Sequence, residues 1–352
     1  MRSVWILAHS SMKTLAKDIV DCCESGKGLD GDLKKKVCGH RHIVFKDIVK
    51  WARFQDGFPN VFIDEVKDMA GNDVIFLSSF HSLDVMFEQI SLLYALPGTL
   101  ANSVTVVLPY FPTGTMERMD HIGQVATAKT LTRILSQIPT TARGPAQIMI
   151  FDIHALQERF YFEDSVIPSY CVVSLLMCSY FWLETAIPLV VPEIRRFAQE
   201  RGSTVKIAFP DAGAEKRFAD QFVGYETITC SKTRTPEGRI IKIIEGDPKG
   251  ADVVIIDDLV QTGGTLLEAA KVLLANGAAS VSAYVTHAVF PQESWKKFIS
   301  VPSGGQQSLF LKFWITNSIP HAEEIARHEP FRLLSLAPRI AELLSGYDLL
   351  PE

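Results

Sequence analysis

The stretch Val253-Val-Ile-Ile-Asp-Asp-Leu-Val-Gln-Thr-Gly-Gly-Thr265 decides how this chain of 352 residues is read. Four consecutive β-branched residues predict a strand buried on both faces, as in a parallel sheet covered by helices. Asp257 and Asp258 arrive where that strand would leave the sheet. Adjacent carboxylates raise each other's proton affinity unless cations or hydroxyl donors share the site. Vicinal sugar hydroxyls and a magnesium ion would satisfy them. In Thr262, Gly263, Gly264 and Thr265, two glycines permit a tight turn with N–H groups facing inward, and two hydroxyls add donors. A helix expected from about Leu266 brings its positive end to the same place. Carboxylates followed by a phosphate cradle, at this spacing, fit one pentose 5-phosphate. The plainer alternative is an ordinary turn with Thr262 or Thr265 capping the helix; strand, double aspartate and Thr-Gly-Gly-Thr in this order weigh against it.

Outward from this stretch, short apolar runs alternate with helical patterns. Strands are expected at Val4–Ala8, Val74–Ser78, Val104–Leu108, Gln147–Phe151, Val205–Phe209, Val281–Val285 and Phe310–Ile315, and helices at Gln124–Leu135 and Leu266–Ala275. The alternation predicts an α/β protein of parallel sheets with helices on both faces, whose ligands bind beyond the carboxyl ends of the strands. The length suggests two domains of about 150 residues each, with a boundary near 155 to 185. Cys171–Trp182 is apolar without helical or strand periodicity and reads as a buried helix or an insertion, too short for a membrane span.

Composition narrows the classes. Hydrophobic residues are 47% and charged residues 21% of the chain, which suits a soluble globular protein. A formal charge of −5, with 35 basic and 40 acidic residues well mixed, argues against a nucleic-acid partner. No membrane span or signal peptide is expected, and six cysteines without a C-x-x-C pair suggest reduced thiols in a cytoplasmic protein. Cys38, His40 and His42 form only one convincing end of a zinc site, so a metal is not expected there.

The decisive stretch resembles the signature of proteins that bind phosphoribosyl diphosphate. Phe151-Asp-Ile-His-Ala155, Phe209-Pro-Asp-Ala-Gly213, Thr286-His-Ala-Val-Phe290 and Thr316-Asn-Ser-Ile-Pro320 resemble, in order, motifs of the phosphoribosyl diphosphate synthetases, also called ribose-phosphate diphosphokinases. Phe111-Pro-Thr-Gly-Thr115 and His154-Ala-Leu-Gln-Glu-Arg-Phe160 bring the resemblance closest to the plant-type (class II) branch, over roughly residues 54 to 345. The resemblance implies two phosphoribosyltransferase-type (PRTase-like) domains, each a mainly parallel sheet flanked by helices. Residues 1–155 would form the nucleotide side with the oligomer contacts, and 156–345 the domain with the ribose 5-phosphate loop. It implies transfer of diphosphate from ATP to the C1 hydroxyl of ribose 5-phosphate, with Mg2+ as cofactor and a dimer-based homo-oligomer that extends to a hexamer. Carried over by position, His154 and Asp211 would serve the metal, with Asp211 also able to cap a following helix. Lys232 and Arg234, in Cys230-Ser-Lys-Thr-Arg-Thr-Pro-Glu-Gly-Arg239, would be the catalytic cations of a mobile loop. Asp257, Asp258, Gln261, Thr262, Gly263, Gly264 and Thr265 would hold ribose 5-phosphate, and Phe54, Asp56 and Arg118 the nucleotide.

Three departures bear on the nucleotide and sugar sites. Thr115 and Met116 stand where the common synthetases have Arg and Gln, with Arg118 as a partial replacement of charge. Phe58 stands at a usually acidic position, and Gln261 replaces a third acidic residue, an amide still able to bond a ribose hydroxyl. Three rivals are weighed: a non-catalytic associated subunit of the same fold, a phosphoribosyltransferase and a pure binding module. Retention of His154, Asp211, Lys232 and Arg234 speaks against the first, and the duplicated length with Asp-Ile-His-Ala against the second. Nothing in the sequence favours the third.

Overall fold

The computed structural model describes residues 3–29, 42–117, 119, 121–155, 161–162, 181–235, 238–299 and 308–346, with the backbone alone at 181–182, 232–235, 238–240 and 345–346. The chain forms two compact units, Met1–Thr185 with Leu336–Glu352, and Ala186–Ser335. The division therefore falls between Thr185 and Ala186, not at 155/156, and the chain returns to the first unit after the second is complete. The reason lies in Phe181–Glu184: these residues are a strand paired to Gln147–Phe151, so they finish the first sheet. The end of the apolar Cys171–Trp182 segment is thus strand, not helix; residues 171–180 lie outside the described residues.

In the first unit, β1 (Val4–Ala8), β2 (Ile43–Phe45), β5 (Asp73–Leu77), β6 (Ser103–Leu108), β7 (Gln147–Phe151) and β8 (Phe181–Glu184) form a parallel sheet in the order β2-β1-β5-β6-β7-β8. β1 and β5 are buried along their whole length, which is why they carry no polar alternation. Helices α1 (Lys13–Ser25), α2 (Leu83–Ala95) and α3 (Thr127–Ser136) accompany the sheet, and α8 (Ala337–Gly346) returns to pack on α1. A separate antiparallel hairpin, β3 (Val49–Arg53) and β4 (Pro59–Ile63), has the alternating burial of a half-exposed ribbon.

In the second unit the order is β11-β10-β9-β12-β13-β14-β15. Its strands are β9 (Val205–Phe209), β10 (Thr227–Thr235), β11 (Gly238–Glu245), β12 (Asp252–Val260), β13 (Ser280–Ala288), β14 (Phe313–Thr316) and β15 (Phe331–Leu334), with the short helix α7 (Ala322–Ile325) between the last two. Only the β10–β11 pair is antiparallel. Val253, Val254, Ile255 and Ile256 of β12 are all 0% exposed. Val253 and Ile255 pack with Leu266 and Leu273 of α6 (Gly264–Ala275), and Val254 and Ile256 with Val190 and Phe197 of α4 (Ile187–Arg201). Two-sided burial at about 1.5–3 kcal/mol per large side chain fixes the position of the residues that follow the strand.

Candidate active site

β9 lies between β10 and β12 in the second sheet. The chain leaves it for β10 on one side and later for β12 on the other, so the crevice beyond the ends of β9 and β12 is the switch point where α/β sheets take ligands. Asp211 follows β9 and opens α5 (Ala212–Phe218), its Oδ1 accepting from Gly213 N at 2.9 Å and Ala214 N at 3.0 Å. The capping role expected of Asp211 is therefore real, and it aims one carboxylate edge into the helix.

Asp257 and Asp258 still belong to β12, which runs on to Val260 because its ladder with β13 continues through Leu259↔His287 and Val260↔Ala288. Asp258 is buried and receives Arg217 Nη1 at 3.4 Å. Arg217 was not singled out from sequence; its place on α5, after the aspartate that caps that helix, is the only signal the chain offers. Asp257 keeps part of its surface open yet is crowded by protein. Burial first, then the Asp258 carboxylate, their side-chain hydrogen bond and the charge of Asp211, hold its carboxyl well above the usual range. The Asp258 N–H, donated to Asp257 Oδ1 at 2.9 Å, works the other way. Three acidic side chains against one arginine leave a site that gains from a cation or from hydroxyl donors.

Gln261 to Thr265 complete the crevice. Gly263 adopts φ +79° and is the N-cap of α6, which starts at Gly264, two residues earlier than expected. The N-cap position is taken by this glycine, so neither Thr262 nor Thr265 stands there as the capping alternative required. An uncapped helix start at a glycine turn is the condition under which first-turn N–H groups and the helix dipole serve an anion. A Cβ on Gly263 would stand 2.3 Å from Phe298 Cζ, so the position tolerates glycine alone.

Other expected residues fall elsewhere. Lys232 and Arg234 do not lie on an open loop: their backbone pairs with Ile241 and Arg239 in the β10–β11 hairpin, while their side chains lie outside the described residues. His154 follows β7 in the first unit and is exposed, just after Asp152, a buried residue in the left-handed region at φ +38°. Phe54, read as either a stacking or a buried aromatic, is 56% exposed at the tip of the β3–β4 hairpin. There Asp56 Oδ1 accepts from Phe58 N at 3.1 Å and shapes the turn. Arg118 lies outside the described residues, as do Cys38 and His40. Thr115 is exposed, and Glu117 beside it is buried.

Among the described residues no group of three or more His, Cys, Asp or Glu side chains is placed to hold a metal ion. Magnesium does not require one: it keeps waters and takes one or two carboxylates together with substrate phosphates. Asp211 and Asp257, close enough for one charge to act on the other, are donors of the kind such an ion takes. No described helix is long and apolar enough to cross a membrane.

Comparison with known proteins follows the same division of the chain. Residues 4–138 match the N-terminal domain of ribose phosphate pyrophosphokinase, and residues 186–304 the phosphoribosyl transferase domain. Ribose-phosphate pyrophosphokinase 4 of Oryza sativa subsp. japonica is 47% identical over 89% of this chain and 92% of its own length. Its Arabidopsis thaliana counterpart is 48% identical over 86% and 85%. The chloroplastic ribose-phosphate pyrophosphokinase 3 of Arabidopsis thaliana is 46% identical over 89% and 73%. Phosphoribosylpyrophosphate synthetase from Mycobacterium smegmatis shares the fold, with a TM-score of 0.73 over 98% of both chains at 20% identity. On two domain matches and near-half identity along most of its length, the chain belongs to the ribose-phosphate pyrophosphokinase family.

Proposed function

We infer that the chain is a ribose-phosphate diphosphokinase, which joins the diphosphate of ATP to ribose 5-phosphate and releases AMP. The observation that carries the reading is the crevice beyond β9 and β12, where carboxylates for a sugar adjoin an uncapped helix start for its phosphate. Asp257 and Asp258 accept from the ribose hydroxyls, which relieves the repulsion between them, while Gln261 adds an amide. The N–H groups and hydroxyls of Thr262 to Thr265 take the 5-phosphate. So held, the sugar presents its C1 hydroxyl in one orientation, the main contribution a protein can make to phosphoryl-type transfer. The C1 oxygen then bonds to the β-phosphorus of ATP, the bond from that phosphorus to the oxygen bridging to the α-phosphate breaks, and AMP departs with that oxygen. Lys232 and Arg234 stabilise the charge that grows on the non-bridging oxygens and on AMP. Asp211 in the second unit and His154 in the first are the residues assigned to magnesium, which would neutralise phosphate charge.

Phe54, Asp56 and Arg118 are assigned to the nucleotide. The assembly is proposed to be a homo-oligomer. Phe54, Phe58 and Phe62 of the hairpin and Leu83 and Phe87 of α2, all more than half exposed, supply apolar surface for a second copy, which light scattering would detect. A cytoplasmic location is proposed, although plant relatives are named as chloroplastic or mitochondrial, and a fluorescent fusion decides among the three.

The test is AMP formation from ATP and magnesium, with and without ribose 5-phosphate, beside a Lys232→Ala variant. Ribose-dependent AMP that falls by about 100-fold or more in the variant is expected, since removing one transition-state donor costs on that order. A folded protein that binds ribose 5-phosphate yet forms no AMP would sink the reading in favour of a non-catalytic subunit.

A further inference from the structure

The sugar-phosphate turn is held from behind by one short segment, residues 289–298, which begins at the end of the Thr286–Phe290 motif. Val260 O accepts from Val289 N at 3.0 Å and from Phe290 N at 3.4 Å. Gln261 O accepts from Ser294 Oγ at 3.2 Å. Gly263, two residues on, rests its α-carbon against the Phe298 ring so closely that a Cβ would meet Cζ at 2.3 Å and Cε2 at 2.5 Å. Two consecutive carbonyls and the turn glycine are thus fixed to the same support. In a trans peptide the N–H points opposite to the C=O. Drawing the carbonyls of Val260 and Gln261 toward this segment therefore turns the N–H groups of Gln261 and Thr262 away from it.

The supporting backbone is itself unusual. Phe290, Gln292 and Glu293 have φ of +38°, +53° and +55°, three non-glycine residues in the left-handed region within four positions. Such strain persists only where surrounding structure over-determines it. Here Phe290 is locked among Phe298, Phe313 and Phe331, with ring centroids 5.4, 6.1 and 5.8 Å away. The strained turn delivers Ser294, buried at 9% exposure, to the Gln261 carbonyl.

We propose that Ser294 is a positioning residue for ribose 5-phosphate, acting through the Gln261 carbonyl to aim the turn's N–H groups, with Phe298 as the floor beneath Gly263. The proposal rests on the diphosphokinase reading, so its test separates the two substrates and includes binding without turnover. Ser294→Ala and Ser294→Thr are compared with the unaltered chain for KM of ribose 5-phosphate, KM of ATP, and calorimetric binding of ribose 5-phosphate. Loss of one hydrogen bond predicts that Ser294→Ala raises the KM and Kd for ribose 5-phosphate about fivefold, with the KM for ATP shifted less than about twofold. Ser294→Thr, which keeps the hydroxyl, restores most of that loss. Equal rises in both KM values, an unchanged KM for ribose 5-phosphate, or a threonine variant as weak as the alanine one would each overturn the proposal. Failure of the unaltered chain to form AMP while it still binds ribose 5-phosphate would count against the enzyme reading and leave the calorimetric comparison to judge Ser294.

Discussion

The crevice beyond β1 and β5 in the first unit and the crevice beyond β9 and β12 in the second stand at the same point of the same strand plan, yet they are finished in opposite ways. In the first, His9 follows β1 and is buried, its Nδ1 2.8 Å from Ser11 Oγ and its Nε2 3.0 Å from Glu88 Oε1. Ser79, just past β5, has its N–H and its carbonyl both bonded to the fully buried Gln89 of α2. Polar groups there close on one another. In the second, Asp211, Asp257 and Asp258 face one another with Arg217 as counter-charge, and the helix behind them starts uncapped. Topology supplies a crevice twice; the residues at the strand ends decide that one is filled by paired polar side chains and that the other gathers like charges.

The largest expected effect comes from comparing glycines of the two units. Gly71 in the first unit and Gly263 in the second have similar left-handed φ, +75° and +79°, but a Cβ on Gly71 would meet nothing within 4 Å. Gly71→Ala should therefore cost only the backbone term, about 1–2 kcal/mol. Gly263→Ala adds overpacking against Phe298, about 1–3 kcal/mol more, and displaces the turn. Chemical denaturation gives the stabilities, and calorimetry should find ribose 5-phosphate binding weakened roughly 100-fold in Gly263→Ala, as the loss of about two hydrogen bonds from the displaced turn would give, and unchanged in Gly71→Ala. Equal binding losses in the two variants would break the contrast between the crevices.

The second crevice was far more legible in the sequence than the first. β1, β7 and β9 are legible to the residue, since two-sided burial leaves uninterrupted apolar runs, and the order of aspartates, glycines and threonines after Ile256 suggests a sugar phosphate. His9, by contrast, looked like the polar end of a strand, because nothing local announces a partner such as Glu88, 79 positions away. The β10–β11 hairpin reads as a loop in the sequence, because the Lys232-Thr-Arg-Thr235 alternation lacks the apolar residues that mark a strand. The return of α8 to the first unit left no mark either, since contacts between distant segments are not written in composition. Arg217 was missed for the same reason; helix spacing places it on a face but does not reveal that the face meets Asp258.

A pH test sharpens the comparison at moderate size. The Asp257 carboxyl is raised in the folded chain by burial and by Asp258 and Asp211, so folding favours its protonated form. Its contribution to stability is complete below the unfolded value of about 3.9 and is lost as pH rises through the folded value. The ligand-free chain should therefore lose denaturation midpoint as pH is raised from about 4 toward 8, and Asp257→Asn, which cannot ionise, should lose less. A variant whose profile tracks the unaltered chain would show that the carboxylate cluster is already neutralised within the protein.

His9 should give the smallest effect and the opposite slope. Burial lowers its affinity for a proton, while the hydrogen bond and charge of Glu88 raise it, and the net direction is down. Among the described residues it is faced by Ser10, Ser11, Glu88, Trp51 with its ring 5.0 Å away, and His81 with its ring 6.1 Å away; Arg53 Nη2 reaches Glu88 Oε2 at 3.6 Å. A histidine kept neutral in the fold contributes stability that is present above the unfolded value of about 6.5 and is lost as pH falls through the folded value. Because Glu88 opposes burial, the loss on acidification should be modest. His9→Gln keeps hydrogen-bonding capacity without the titration, so its urea midpoint should fall less than that of the unaltered chain between about pH 7.5 and 5. The two variants thus tilt the stability profile in opposite senses, Asp257→Asn on its alkaline side and His9→Gln on its acid side. An acid limb unchanged in His9→Gln would mean that the first crevice is satisfied in both protonation states, and only the ligand-binding crevice would then be tuned by pH.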